Sequence, residues 1–215
     1  LEVSDYSTSE AAGYGLLFAI FCNDQTSFDT LLDKAWSKLY KSGTTGLFSW
    51  VVSSDGTIRD PNSATDADQD VAAALIFADI LKQRSVWPDT SRSYASKAQG
   101  LIDAIYKRDC EFNRYLRLGD FNYGGRTLAN PSYFSPAWYR LFDLYENQDH
   151  DWQPLIDQGY QTLASTNGYI RGLVPDWCDS AGQSVEAVYP WDKYELRKEA
   201  IRVFWRLATD YLWFG

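Results

Sequence analysis

Four acidic residues stand where they could do proton chemistry. Glu10 lies just ahead of the apolar run Leu16–Cys22, Asp66 and Asp68 just ahead of Val71–Leu81, and Glu199 just ahead of Ile201–Trp213. Carboxylates repeated at the entrance of would-be buried helices suggest a rim on which charges from distant parts of the chain converge. A carboxyl pair on such a rim can give and take protons across a bond held between its members. Other chemistries are poorly provided for. His150 is the single histidine and sits in the polar run Asn147–Asp151, so a Ser-His-Asp triad or an H-E-x-x-H zinc site would rest on it alone. Cys22, Cys110 and Cys178 are far apart, odd in number and without CxxC spacing, which indicates neither a disulfide framework nor a zinc ribbon. Asp66, Asp68 and Asp70 imitate the opening of a calcium loop, but Val71 stands where that loop needs glycine and Phe77 where it needs a bidentate glutamate. No metal and no cofactor is expected, and catalysis falls to carboxylates with tyrosine and arginine in support.

The neighbours of these acids fit that chemistry. Glu10 belongs to Ser9-Glu10-Ala11-Ala12-Gly13-Tyr14-Gly15, and two glycines just inside a helix cost about 1 kcal/mol each relative to alanine, so something must approach the backbone closely. A substrate is one candidate; a plain helix start, where the macrodipole favours an acid, is the other. In Asn130-Pro131-Ser132-Tyr133-Phe134-Ser135-Pro136, two prolines hold Tyr133 outside a helix start, where its phenol could donate to a water or a sugar oxygen. Arg202 follows Glu199 at i+3, on the same helical face.

The elements that must carry these residues come in two alternating kinds. Leu16–Cys22 is apolar on every side, whereas Phe28, Leu31, Leu32, Ala35, Trp36 and Leu39 recur as a single stripe. Val71–Leu81 is again apolar all round and is followed by the stripe Tyr94, Ala98, Leu101, Ile102 and Ile105. Ala137–Tyr145 precedes the stripe Leu155, Ile156, Tyr160 and Leu163, and Ile201–Trp213 closes the series as a buried helix. Alternation of buried with one-sided helices is best satisfied by an inner ring of helices covered by an outer one. Each inner and outer pair is then an αα-hairpin, so successive inner helices run the same way and their N-termini share a rim. Ser135-Pro136 has the form of an N-cap with proline at the first helical position, and Asp89 and Asp151 sit where caps belong. The connections Gly43–Thr65, Cys110–Phe134 and Asn167–Tyr194 are long enough to carry function, with short strands such as Tyr115–Leu118 among them. No linker or low-complexity tract interrupts the chain, so residues 1–215 read as one domain.

Composition removes whole classes of partner. The 215 residues are 45% hydrophobic and 23% charged, an ordinary globular balance, and carry a formal net charge of -9. That charge, with Lys and Arg scattered, argues against nucleic acid and against an anionic membrane surface. No apolar stretch approaches the ~20 residues that span a bilayer. Nothing at the start resembles a charged segment followed by an apolar h-region, so any export signal has been removed or lies outside this sequence.

Taken in order, the motifs resemble glycoside hydrolase family 8 over nearly the whole chain, and most resemble its bacterial, cellulosome-type endo-β-1,4-glucanases. They are Ser9-Glu10 with Gly13-Tyr14-Gly15; Ala64-Thr65-Asp66-Ala67-Asp68; Asn130 to Tyr139; Thr166-Asn167-Gly168 with Gly172 to Cys178; and Trp205-Arg206 with Asp210-Tyr211 to Gly215. The resemblance implies an all-α fold, an (α/α)6 double-shell barrel of six inner and six outer helices, and a secreted, extracellular enzyme that hydrolyses a polysaccharide with inversion. It makes Glu10 the general acid, Glu199 the general base and Asp66 the carboxylate at the central sugar subsite. Tyr133 helps to place the water, Arg202 stands three residues after the base as in the family, and Trp50 in Gly46-Leu47-Phe48-Ser49-Trp50 matches a sugar-stacking tryptophan. Tyr123 lies near another such position. Inversion needs acid and base ~6.5–9.5 Å apart so that a water fits between base and anomeric carbon.

Two departures from the family follow. Glu199 stands where the family usually has aspartate, which lengthens the base by one methylene and leaves Asp192 and Glu195 as alternative bases. The chain also stops after an inner helix, with seven recognisable helices where the family has twelve; the barrel is expected to lack its last hairpins, to be completed by a further chain segment or cellulosome partner, and to leave Trp213 and Phe214 on an apolar patch. Cellulose or mixed-linkage glucan is the expected substrate, with xylan or chitosan as alternatives, and a glycan-binding protein without a competent base is the reading from another class.

Overall fold

A computed structural model describes residues 5–111, 114–121, 128–166, 172–179, 181–185 and 197–215. Tyr123, Asp192 and Glu195 lie outside the described residues. The chain is mostly helical, with seven α-helices among the described residues and seven strands of two or three residues each. Most of those small strands fall in the long connections, where short strands were expected, one of them at Tyr115–Leu116. The chain forms two compact units, one drawn from the sequence up to Arg108 with Tyr145–Gln148, the other from Asp109–Leu144 and Asp149–Gly215.

In the first unit, strand β1 (Tyr6–Thr8) leads into α1 (Ser9–Phe21), followed by α2 (Gln25–Lys38), β2 (Val51–Ser53), β3 (Ile58–Asp60), α3 (Thr65–Gln83) and α4 (Tyr94–Asp109). Thr8 caps α1, its hydroxyl accepting from the Ala11 amide at 3.2 Å, and Asp24 caps α2 by accepting from the Ser27 amide at 2.9 Å. The Ser27 hydroxyl and amide hold the Asp24 carboxyl below its ordinary range. β2 is the central strand of an antiparallel sheet ordered β1-β2-β3, which pairs Thr8 with Val51 and Val51 with Asp60. The segments leading into α1 and α3 are thereby laced together.

Helix α3 is the axis of this unit. Every residue from Thr65 to Ile76 is buried, the apolar run from Val71 as its character predicts and the polar first turns as well. It runs parallel to α1. Gly13 near the start of α1 lies against Ala67, Asp70 and Val71 near the start of α3, while beyond their far ends Asn23 Oδ1 accepts from the Trp87 indole at 2.7 Å. Helix α2 lays its stripe inward, burying Phe28, Leu32 and Ala35, and Phe28 meets Trp87 and Tyr94 edge-on.

The second unit contains β4 (Cys110–Glu111), β5 (Tyr115–Leu116), β6 (Leu128–Ala129), a 3₁₀ turn at Pro131–Tyr133, α5 (Pro136–Tyr145), α6 (Gln153–Ser165), β7 (Cys178–Asp179) and α7 (Arg202–Phe214). β4 pairs with β5, and β6 with β7. The rings of Tyr139 and Trp152 stack 5.7 Å apart, tying α5 to the entrance of α6. Asp210 of α7 accepts from Arg140 of α5 at 2.9 Å and from the Tyr160 hydroxyl of α6 at 2.6 Å. Three helices are thus joined through one buried carboxylate.

Three expectations need correction. Helix α1 is not buried all round, since Phe18 and Phe21 are 67% and 68% exposed. Helix α7 buries Val203, Arg206 and Asp210, leaves Trp205 and Leu207 half-buried, and exposes much of its remaining apolar surface, with Tyr211 and Leu212 at 74% and 76% and Trp213 and Phe214 partly open. Both helices pack along one face among the described residues, so an apolar sequence on all sides did not mean burial on all sides. Asp89 caps nothing, because α4 begins only at Tyr94 and the Asp89 side chain accepts from the adjacent Thr90 amide.

Candidate active site

The first unit brings Glu10, Trp50 and Asp66 to one rim. Trp50 sits between the two helix starts: its carbonyl accepts from the Ser9 amide at 2.9 Å and its amide donates to the Asn62 carbonyl at 2.7 Å. Its indole Nε1 donates to Glu10 Oε1 at 2.9 Å, while the ring is 42% exposed. Glu10 occupies the first turn of α1 and Asp66 the first turn of α3, and the parallel run of these helices puts both at the same end. An exposed indole beside a carboxyl group suits a sugar ring, whose faces are apolar and whose edges accept and donate hydrogen bonds.

The other acids of α3 are not solvated, as a helix start crowded with aspartates suggests they would be. Asp66, Asp68 and Asp70 are all buried. Asp68 Oδ1 accepts from the Phe48 amide at 2.9 Å and so anchors the loop that delivers Trp50. Burial, reinforced by the Asp68 charge, pushes the Tyr40 phenol above its ordinary range. The two glycines of α1 also take a structural explanation. A Cβ at Gly13 would lie 3.1 Å from Asp70 Cβ and 3.3 Å from the Ala67 carbonyl oxygen, and one at Gly15 would lie 3.1 Å from Leu31 Cδ1. Helices α3 and α2, rather than a substrate, make the close approach that alanine would obstruct.

The second unit gathers Glu199, Arg202, Tyr133 and Asn130. Glu199 lies in the turn that leads into α7, one helical turn ahead of Arg202. Arg202 Nη2 donates to Glu199 Oε2, and its guanidinium carbon stands 5.5 Å from the centre of the Tyr133 ring. Asn130 Nδ2 also donates to Glu199 Oε2, at 3.3 Å. The orientation of this amide is dictated by its other end, because Asn130 Oδ1 accepts from both the amide and the hydroxyl of Ser132, at 3.0 and 2.7 Å. Asn130 was not among the residues singled out by spacing. The Asn-Pro-Ser turn signals a cap, which it is, but gives no sign of a partner 69 positions further on.

The expected site residues therefore fall into two groups, Glu10, Trp50 and Asp66 in one unit and Tyr133, Glu199 and Arg202 in the other. Among the described residues, no group of three or more His, Cys, Asp and Glu side chains could hold a metal ion, and no helix is long and apolar enough to cross a membrane.

Comparison with known proteins gives the family of the chain. The chain belongs to glycoside hydrolase family 8, with residues 2–215 matching Glycosyl hydrolases family 8. It is 37% identical over 221 aligned residues to Endoglucanase A of Acetivibrio thermocellus, covering 99% of this chain and 43% of that protein. It is 35% identical to Endoglucanase 2 of Ruminiclostridium josui, covering 99% of this chain and 44% of that one. The solved structure of Rex8A from Paenibacillus barcinonensis complexed with xylose superposes with a TM-score of 0.84 at 23% identity, over 98% of this chain and 57% of that chain. The fold is shared with that structure, and the chain spans less than half the length of the two endoglucanases.

Proposed function

We propose that this chain belongs to the catalytic domain of a secreted, inverting, endo-acting glycoside hydrolase that cleaves β-1,4-glucan, cellulose or mixed-linkage glucan. Residues 1–215 are read as part of one domain, with the (α/α)6 double-shell barrel as its architecture. Glu10 protonates the departing glycosidic oxygen. Glu199 takes a proton from the attacking water, which Tyr133 and Arg202 help to place. Asp66 holds hydroxyls of the central sugar and favours its distortion, and Trp50 stacks on a pyranose face, with Tyr123 a further stacking position. Two carboxyl groups suffice for this hydrolysis, so no cofactor enters it.

The observation that carries the reading is the setting of Glu199. Arg202 and an amide fixed by Ser132 both donate to Glu199 Oε2, and two donors on one oxygen hold the carboxyl group in a single orientation, as a base that must meet one particular water requires. The endoglucanase relatives at 35% and 37% identity support glucan as the substrate. Xylan is the second reading, because a protein 26% identical over 98% of this chain is Reducing-end xylose-releasing exo-oligoxylanase Rex8A.

The test is release of reducing ends from carboxymethylcellulose, lichenan and xylan by the protein and by its Glu10→Gln variant. Hydrolysis of the glucans that falls at least ~10³-fold in the variant supports both substrate and acid. Preference for xylan moves the substrate to the second reading, and undiminished activity in Glu10→Gln removes the acid assignment.

A further inference from the structure

The helix that follows Glu199 begins without a cap of its own. Ile201 occupies the N-cap position of α7 and contributes no side-chain hydrogen bond to it. The first amides of a helix need acceptors, and a buried start without them is costly. The first amides of α7 donate to carbonyls of the turn just before it, and that turn is itself held from elsewhere in the chain. Asp176 Oδ1 accepts from the Arg197 amide at 3.0 Å and from the Ala200 amide at 2.8 Å, so one oxygen spans the turn whose middle residues are Lys198 and Glu199. Within and beyond that turn, Ile201 donates to the Arg197 carbonyl at 3.1 Å, Arg202 to Glu199 at 3.1 Å and Val203 to Ala200 at 3.0 Å.

Asp176 is only 3% exposed. Burying a carboxylate is expensive unless its oxygens are used, and this one is used on the backbone that bears Glu199. Its own position is fixed by the β6-β7 ladder, where Ala129 pairs with Cys178 and Leu128 with Asp179. In an antiparallel ladder of that register, Asn130 and Asp176 leave from the same end. The same two-stranded platform therefore presents both residues that hold Glu199: Asn130 grips its carboxylate and Asp176 its main chain.

We infer that Asp176 is a positioning residue for Glu199, setting the height and direction from which that carboxylate reaches its water. The inference rests on the reading of Glu199 as the base, and it deepens that reading. Glutamate reaches one methylene further than the aspartate usual at this position, and its extra torsion must be restrained from both ends if it is to act as a base.

Two measurements decide the matter. Amide hydrogen exchange of the peptide spanning residues 197–203 is compared in the wild-type protein, Asp176→Ala and Asp176→Asn, and kcat and KM are measured on soluble β-glucan for the same three. Asp176→Ala is expected to lose protection in that peptide, with kcat falling on the order of 10²-fold and KM changing less than ~3-fold, as a misplaced catalytic group predicts. Asp176→Asn, which keeps an acceptor oxygen, is expected to recover at least ~10-fold of that loss. Unchanged protection of residues 197–203 in Asp176→Ala overturns the inference whatever the substrate, as does lost protection with an unchanged kcat per folded molecule. If the wild-type protein hydrolyses no glycan, the functional reading fails on its own account, and protection of residues 197–203 then decides whether Asp176 fixes this turn.

Discussion

The Trp50 indole nitrogen donates to Glu10 Oε1 across 2.9 Å, joining a residue expected to stack on sugar to the residue expected to protonate the leaving group. The two roles can be separated by substitution. Trp50→Phe keeps a ring and removes the donor; Trp50→Ala removes both. A typical hydrogen bond contributes about 0.5–1.5 kcal/mol, so Trp50→Phe should lower kcat by up to ~10-fold with KM nearly unchanged. Trp50→Ala should in addition raise KM ~10-fold or more. Steady-state kinetics on a soluble β-glucan checks both.

Asn130 ties the other carboxylate. Replacing it with alanine removes a donor from Glu199 Oε2 and an acceptor from the Ser132 amide and hydroxyl. The expected results are a loss of ~10–10²-fold in kcat and about 1–2 kcal/mol of stability. Asn130→Asp keeps the acceptor for Ser132 but sets a second carboxylate against Glu199, so it should be as inactive as alanine while retaining more stability. Chemical denaturation and kcat together distinguish the two.

The helix contact that places Glu10 is tight. Gly13→Ala would put a methyl 3.1 Å from Asp70 Cβ and 3.3 Å from a main-chain oxygen of α3. Overpacking of this kind costs about 1–3 kcal/mol. Gly159→Ala would run into the Phe134 ring and should be the more damaging of the two. Thermal unfolding of the two variants should rank wild type above Gly13→Ala, and Gly13→Ala above Gly159→Ala.

The thiols should respond very differently to reagents. Cys22 is exposed, whereas Cys110 and Cys178 are buried and unpaired. Burial, aided by the Asp179 charge, pushes the Cys178 thiol from 9.0 up to about 12. The folded chain therefore holds this proton more tightly than the unfolded one. The resulting stabilisation is complete below pH 9 and is lost as pH rises towards 12. At pH 8 a thiol reagent should modify Cys22 promptly and reach Cys110 and Cys178 only on unfolding, as peptide mass spectrometry can show.

Much of the scaffold was legible from hydrophobic spacing. The stripe from Phe28 to Leu39 and the unbroken apolar run from Val71 mark α2 and α3 because helices of these two kinds bury different fractions of their circumference. The same signal overstated the burial of α1 and α7, since an apolar side chain such as Phe18 or Leu212 reports what a face could bury and not what packs against it. Ordered motifs singled out Glu10, Asp66, Glu199, Trp50, Tyr133 and Arg202, and the structure gathers Glu10 with Trp50 and Glu199 with Arg202 and Tyr133. Asn130 and Asp176 lie inside two of those motifs, but what they hold could not be read there. Their partners lie 69 and 24 positions away, at Glu199 and at Ala200, and such contacts leave no local pattern. Nor could spacing tell that Gly13 and Gly15 admit helices α3 and α2.

The stereochemistry of the first product tests the central claim most directly. Proton NMR of the anomeric region, recorded while the protein acts on a reduced-viscosity β-1,4-glucan, follows the hemiacetal before mutarotation. If Glu10 is the acid and Glu199 the base for direct attack by water, the α-anomer appears first and the β-anomer only as it equilibrates. First appearance of the β-anomer would contradict the account.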